Sequence, residues 1–114
     1  MFEYLMPLLV MRTYPRTLLH ETYEAVIDRQ IEYGKEMGVP WGISESAYNV
    51  QDANGNYQYR AFGVPGLGLK RGLADDLVVA PYATMLAAQL RPREAIANLE
   101  RLTEEGALGP MGFY

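Results

Sequence analysis

The stop at Met37-Gly38-Val39-Pro40-Trp41 constrains the fold more than any other feature of this chain. Upstream, residues 16–37 carry Leu19, Tyr23, Val26, Ile27, Tyr33 and Met37 at an approximate 3.6-residue period, with Glu21, Glu24, Asp28 and Glu32 on the other face. That pattern predicts one long amphipathic helix with an N-cap at Thr17 or Thr13 and a solvated acidic face. Gly38 can take the left-handed conformation that closes a helix, and Pro40 has no N–H with which to continue one. Residues beyond Pro40 must therefore form something other than that helix.

The segment downstream is long and irregular. Residues 41–74 are rich in glycine and hold Trp41, Tyr48, Tyr57, Tyr59 and Phe62. Within them "YNVQDANGNYQYRAF" suggests a loop or short hairpin turning at Asn54–Gly55, with Tyr57 and Tyr59 alternating. Helical periodicity returns after it. Pro81 fits the first turn of a helix over 81–90. A last helix starts at Pro92 and ends near Gly106, with Ala95, Ile96, Leu99 and Leu102 as its apolar stripe. Residues 2–11 read as a short buried helix, kinked or started at Pro7. The expectation is an all-α domain of about four helices interrupted by a long aromatic, glycine-rich loop. Loops above about 12–15 residues in compact domains are usually functional or disordered, and this one has too many aromatics for disorder.

Composition removes several kinds of function. The chain has 114 residues, so one domain at most. It has no cysteine, which excludes disulfides and thiolate chemistry and fits a reducing compartment, and a single histidine, His20, read as a surface helix residue. A histidine-rich metal site is excluded and no cofactor or metal is expected. The net charge of −4, with no basic cluster beyond Lys70–Arg71, lacks the footprint of nucleic-acid binding. The apolar start "MFEYLMPLLVM" contains Glu3 and Pro7 and is too short to span a membrane. Acid–base chemistry is left mainly to Glu, Asp, Tyr and Lys.

The candidates can be weighed on that basis. Glu45, in "WGISES", sits between two serines beside the lone tryptophan. It is either a partly buried acid for glycoside chemistry, which needs two carboxyl groups across the scissile bond, or an exposed loop glutamate bonded to its own turn. Trp41, Tyr48, Tyr57, Tyr59 and Phe62 either stack on the C–H faces of sugars or form a local aromatic core. Asp52, Asn54 and Asn56 begin like a calcium loop, but its glycine and closing glutamate are missing, which favours a plain turn. "GLGLKRG" has neither dinucleotide nor P-loop spacing, so Lys70 and Arg71 read as loop anchors. Asp75–Asp76 fit the start of the following helix. Glu3 is either ion-paired or a second cleft acid. Met1, Met6, Met11 and Met37 read as core filler.

Taken together, "MFEYLMPLLV", "RQIEYGKEMGVPWGISESAYN", "YQYRAFGVPGLGLKRGLADDLVVAPYAT" and "GALGPMGFY" resemble the glycoamylase-like domain of cyclic β-1,2-glucan synthases over essentially the whole chain. The resemblance implies an (α/α)6 toroid, of which residues 1–114 would be a partial domain cut at both ends. Its parent would be a large bacterial inner-membrane protein, with this domain on the cytoplasmic side. The domain would cleave β-1,2-glucan and close it on itself by a retaining, two-carboxylate transglycosylation, whereas related stand-alone enzymes hydrolyse the glucan. Glu45 matches the glutamate of the family's "WGISES" string and is the expected catalytic carboxylate, as nucleophile or as acid/base. Trp41, Tyr48, Tyr57, Tyr59 and Arg60 are the substrate-binding candidates. In the family pattern a glutamate comes directly after "GFY", and this chain ends at Tyr114, so half the catalytic pair is expected to be absent and the chain inactive alone. Arg12 stands where the family usually has proline. The partners implied are the glucan, the rest of the toroid and the parent's other domains. A non-catalytic glucan-binding remnant and a purely structural helical module are the competing readings.

Overall fold

The computed structural model describes residues 1–68 and 70–114; Leu69, within "GVPGLGLKRGL", lies outside the described residues. The chain runs helix α1 (Phe2–Leu5), a 3-10 turn over Met6–Leu9, helix α2 (Leu18–Met37), strands β1 (Ser46–Gln51) and β2 (Tyr57–Arg60), helices α3 (Pro81–Ala87) and α4 (Pro92–Glu104), then strands β3 (Leu108–Gly109) and β4 (Gly112–Phe113). It is mostly helical, but not all-α as expected: β1–β2 and β3–β4 form two small antiparallel ribbons. The first lies inside the long aromatic segment, where tyrosines alternate around an Asn-Gly turn.

Helix α2 obeys its sequence signals closely. The Thr17 side chain caps it by accepting from the His20 N–H at 3.3 Å, and Gly38, at φ 72°, closes it. Its buried stripe is Tyr23, Val26, Ile27, Gln30 and Gly34, so it includes a polar side chain that an apolar count passes over. Its acidic face is partly paired rather than solvated. Arg91, at the α3–α4 junction, holds Asp28 at 2.7 Å and Glu94 at 2.9 Å and also bonds Glu24, while Arg29 holds Glu32 at 2.8 Å.

The N-terminal segment is broken near Pro7, which has no N–H to donate to the carbonyl four residues back. It is not a buried helix. Leu5 alone is fully buried there, while Met6, Leu9, Val10 and Met11 are exposed. Met37 is exposed as well, so three of the four methionines read as filler lie outside the core. Ile96 also turns outward; α4 buries Ala95, Asn98 and Leu102 instead. Helix α3 ends at Ala87, where N–H groups from Ala88 to Leu90 switch to tighter turns.

Two apolar cores meet at the "WGIS" segment. The first packs Trp41 with Leu5, Tyr23, Ile27, Leu86, Ala87 and Ala95 between the helices. The second packs Ile43 with Phe62 and Val64, flanked by Tyr33, Tyr48 and Val79. Residues 41 and 43 thus face opposite cores, and Gly42, at φ 115°, lets the backbone pass between them. A Cβ on Gly42 would stand 2.8 Å from Thr84 Oγ1, so the position has neither the torsion nor the room for a side chain.

Candidate active site

A backbone segment crossing between two cores cannot leave its polar groups unpaired. Here side chains supply the partners. The Gln30 amide brackets Ile43: Nε2 donates to the Ile43 carbonyl at 2.8 Å and Oε1 accepts from its N–H at 2.9 Å. The Asn98 amide brackets Trp41 in the same way, accepting at 3.0 Å and donating at 2.8 Å. Asn98 also donates to Thr84 Oγ1 at 2.9 Å. The Gly42 carbonyl accepts from the Ala80 N–H at 2.9 Å. Gln30, Thr84 and Asn98 are 5% exposed or less, so their bonds form away from water and cannot be exchanged for it at no cost. Sequence reading missed all three. The available signal was a single amide within an otherwise apolar helical stripe, Gln30 after Val26 and Ile27, and Asn98 between Ala95 and Leu102.

The segment delivers Ser44 and Glu45 to a cleft of about 330 Å³ whose wall includes Glu3, Tyr4, Glu45, Phe62, Lys70 and Leu73. Ser44, 1% exposed, accepts from the Phe2 N–H at 3.0 Å and so ties α1 to the cleft edge. Tyr4 donates its hydroxyl to the Leu67 carbonyl at 2.6 Å and ties α1 to the opposite loop. Glu45 is half-buried. Glu3 and Glu45 both line this cleft. Among the described residues Glu3 has no ion-pair partner; its side chain is exposed to solvent and lines the same cleft.

The other candidates are distributed unevenly. Trp41, 7% exposed, presents its ring to the helical core rather than to the cleft. Tyr48 is half-buried and meets Phe62 edge-on, with ring centroids 5.1 Å apart. Arg60 lies over both rings, 5.7 Å from the Tyr48 centroid and 5.1 Å from that of Phe62, and pairs with Asp76 at 2.7 Å. Asp76 is thus a partner of Arg60 rather than a charge at a helix start, since α3 begins at Pro81. Tyr57 and Tyr59 are 62% and 65% exposed and free to meet a ligand. In the hairpin Ala47 pairs with Tyr59, and Ser46 with Arg60. Tyr59 therefore points to the face opposite Arg60.

The turn of the hairpin is built by Asp52. Its Oδ1 accepts from the Asn54 and Asn56 N–H groups at 2.9 and 3.0 Å, and these bonds hold the carboxyl below its usual range. The carboxylate is thus engaged by its own backbone, as in a plain Asx turn.

On a mostly helical scaffold, then, a half-buried carboxylate and an exposed acid line one cleft, and two exposed tyrosines stand on the hairpin that follows Glu45. The family comparison gives the class. Residues 1–114 match the glycoamylase family, described as "Putative glucoamylase", over the whole chain, and the chain belongs to that family. More particularly, it is 53% identical over 114 residues to the cyclic beta-(1,2)-glucan synthase NdvB of Rhizobium meliloti (strain 1021). The match covers 100% of this chain and spans 4% of the length of that protein. Among the described residues no helix is long and apolar enough to cross a membrane.

Proposed function

We propose that this chain is a segment of an (α/α)6 glycoamylase domain that cleaves β-1,2-glucan and transfers the cut end onto the glucan's own chain, closing a ring. The proposed parent is a bacterial inner-membrane synthase carrying this domain on its cytoplasmic side. One observation carries the reading. Glu45 leaves a segment pinned from both sides by buried amides and enters a cleft already occupied by a second acid. Buried amides are costly to place unless fully bonded, and their product here is a fixed backbone directly before a carboxylate.

Ring closure that keeps the β linkage calls for retention. One carboxylate attacks the anomeric carbon and the glycosidic bond breaks. The other protonates the departing oxygen and later takes the proton of the incoming 2-hydroxyl as the glycosyl–enzyme bond is released. Glu45 is one of this pair. The second carboxylate comes from the residue directly after "GFY" in the family pattern, or from Glu3. Retention requires the two carboxyl groups roughly 5–5.5 Å apart across the sugar. Tyr57, Tyr59 and the Tyr48–Arg60 face bind flanking glucose units, and Trp41 holds the wall.

The test is turnover of linear β-1,2-glucan by the full-length parent and its Glu45→Gln form. The expected result is a fall in kcat of about a thousandfold or more with unchanged folding. Cyclic products identify transfer and shortened linear products identify hydrolysis. Full activity of Glu45→Gln refutes the assignment, and glucan binding without turnover by the wild type points to a non-catalytic remnant.

A further inference from the structure

Tyr82 stands in the first turn of α3, immediately after Pro81, where the backbone is fixed. Its ring packs edge-on against Phe2, with centroids 6.2 Å apart. From there the phenol reaches back across the chain to residues 44 and 45. Its oxygen is 2.8 Å from the Glu45 carbonyl and 3.0 Å from Ser44 Oγ.

The proton count fixes the direction of these bonds. A phenol carries one proton, and a carbonyl oxygen can only accept. Tyr82 therefore donates to the Glu45 carbonyl, and Ser44 donates its hydroxyl proton to the phenol oxygen. Ser44 Oγ in turn accepts from the Phe2 N–H at 3.0 Å. The result is a directional chain from the α1 backbone through Ser44 and Tyr82 to the main chain of Glu45. The phenol titrates above its ordinary value, mainly through burial, with the bond from Ser44 opposing and the Glu45 charge adding. It therefore keeps its proton throughout the neutral range, which the chain requires.

We infer that Tyr82 is a positioning residue for Glu45, holding its carbonyl so that the carboxylate is fixed on the cleft wall. The inference rests on the catalytic role proposed for Glu45. Gln30 and Asn98 already fix the backbone at residues 43 and 41, and Ser44 ties the cleft edge to α1. Tyr82 acts at the residue that bears the carboxylate, one position before the hairpin begins. It touches the main chain of Glu45 and takes no proton from the sugar, so its loss should misplace the carboxylate without removing it.

The experiment compares the full-length parent protein with its Tyr82→Phe, Glu45→Gln and doubly substituted forms on linear β-1,2-glucan, reading slow variants under single-turnover conditions. A displacement on the order of 1 Å at a reacting group costs up to about a hundredfold in rate. Tyr82→Phe is therefore expected to lower kcat by about ten- to a hundredfold while KM stays within about twofold. In the Glu45→Gln background it should cause no further loss, because the group it positions is already gone. If folded Tyr82→Phe keeps normal kcat while Glu45→Gln is inactive, the inference about Tyr82 is wrong and the site assignment stands. An equal fall in both backgrounds means that Tyr82 acts apart from Glu45 and also overturns it. Full activity of Glu45→Gln removes the site reading itself, and the role of Tyr82 with it. Should Tyr82→Phe fail to fold, 4-fluorophenylalanine at position 82 keeps the ring and fills the space of the hydroxyl but has no proton to give the Glu45 carbonyl. It is expected to lower kcat by about ten- to a hundredfold, and unchanged kcat in that variant overturns the inference.

Discussion

Replacing Asn98 with alanine tests whether side chains really stand in for a missing strand along the "WGIS" segment. Asn98 is 5% exposed and makes three bonds: one from the Trp41 N–H, one to the Trp41 carbonyl and one to Thr84 Oγ1. Alanine removes all three, with unequal consequences. The Trp41 carbonyl keeps a partner, because the Thr84 hydroxyl donates to it at 3.2 Å. Thr84 Oγ1 can go without an incoming donor at modest expense. The Trp41 N–H keeps no partner among those three bonds and sits beside a ring that is 7% exposed. An orphaned buried donor costs about 1–3 kcal/mol, and the void left by the amide adds roughly 1 kcal/mol. The predicted loss is about 2–4 kcal/mol, a large share of the roughly 5–15 kcal/mol by which a domain is usually stable. The assay is equilibrium urea unfolding monitored by fluorescence. Trp41 is the only tryptophan of the chain, so emission reports the affected core directly. A loss below about 0.5 kcal/mol with an unchanged urea dependence would refute the reasoning. It would mean that water or a relaxed backbone takes over the Trp41 N–H without effort.

The same geometry sets two further outcomes. Gly42→Ala should destabilise by about 1–3 kcal/mol, because it combines a left-handed torsion with a Cβ 2.8 Å from Thr84 Oγ1; the same urea titration checks it, and a neutral result would show that the crossing between cores is not strained. Asp52 should titrate below the ordinary carboxylate value by NMR, since backbone N–H groups favour its charged form. Its folded value is depressed, so the turn's contribution is present above the unfolded value and is lost as pH falls through the folded one. The protection of the Asn54 and Asn56 amides, taken as exchange relative to the intrinsic rate at each pH, should fall over that same acid range and remain level from there to neutrality.

The sequence alone determined the local elements whose causes are local. Thr17, Gly38 and Pro40 bounded α2 because capping and a missing N–H act within one turn of the chain. The signal at Asn54–Gly55 located the hairpin, although its loop runs over residues 52–56, with the Gly55 N–H bonded to the Asp52 carbonyl and Gly55 at φ 79°. The family was likewise legible, since a resemblance carried by strings such as "GVPWGISES" is read from residue order without any fold. Tertiary structure decided the rest. Periodicity placed Ile96 in the core and counted neither Gln30 nor Asn98, because which face of a short helix is covered depends on what packs against it. The lone tryptophan beside Glu45 read as a possible sugar platform. Packing of α1, α2, α3 and α4 turned its ring inward and left only its backbone to serve the site. Tyr82 lies 37 residues beyond Glu45, and no spacing rule connects a phenol in one helix to a carbonyl in a distant loop. Such a contact exists only once the fold has brought the two ends together.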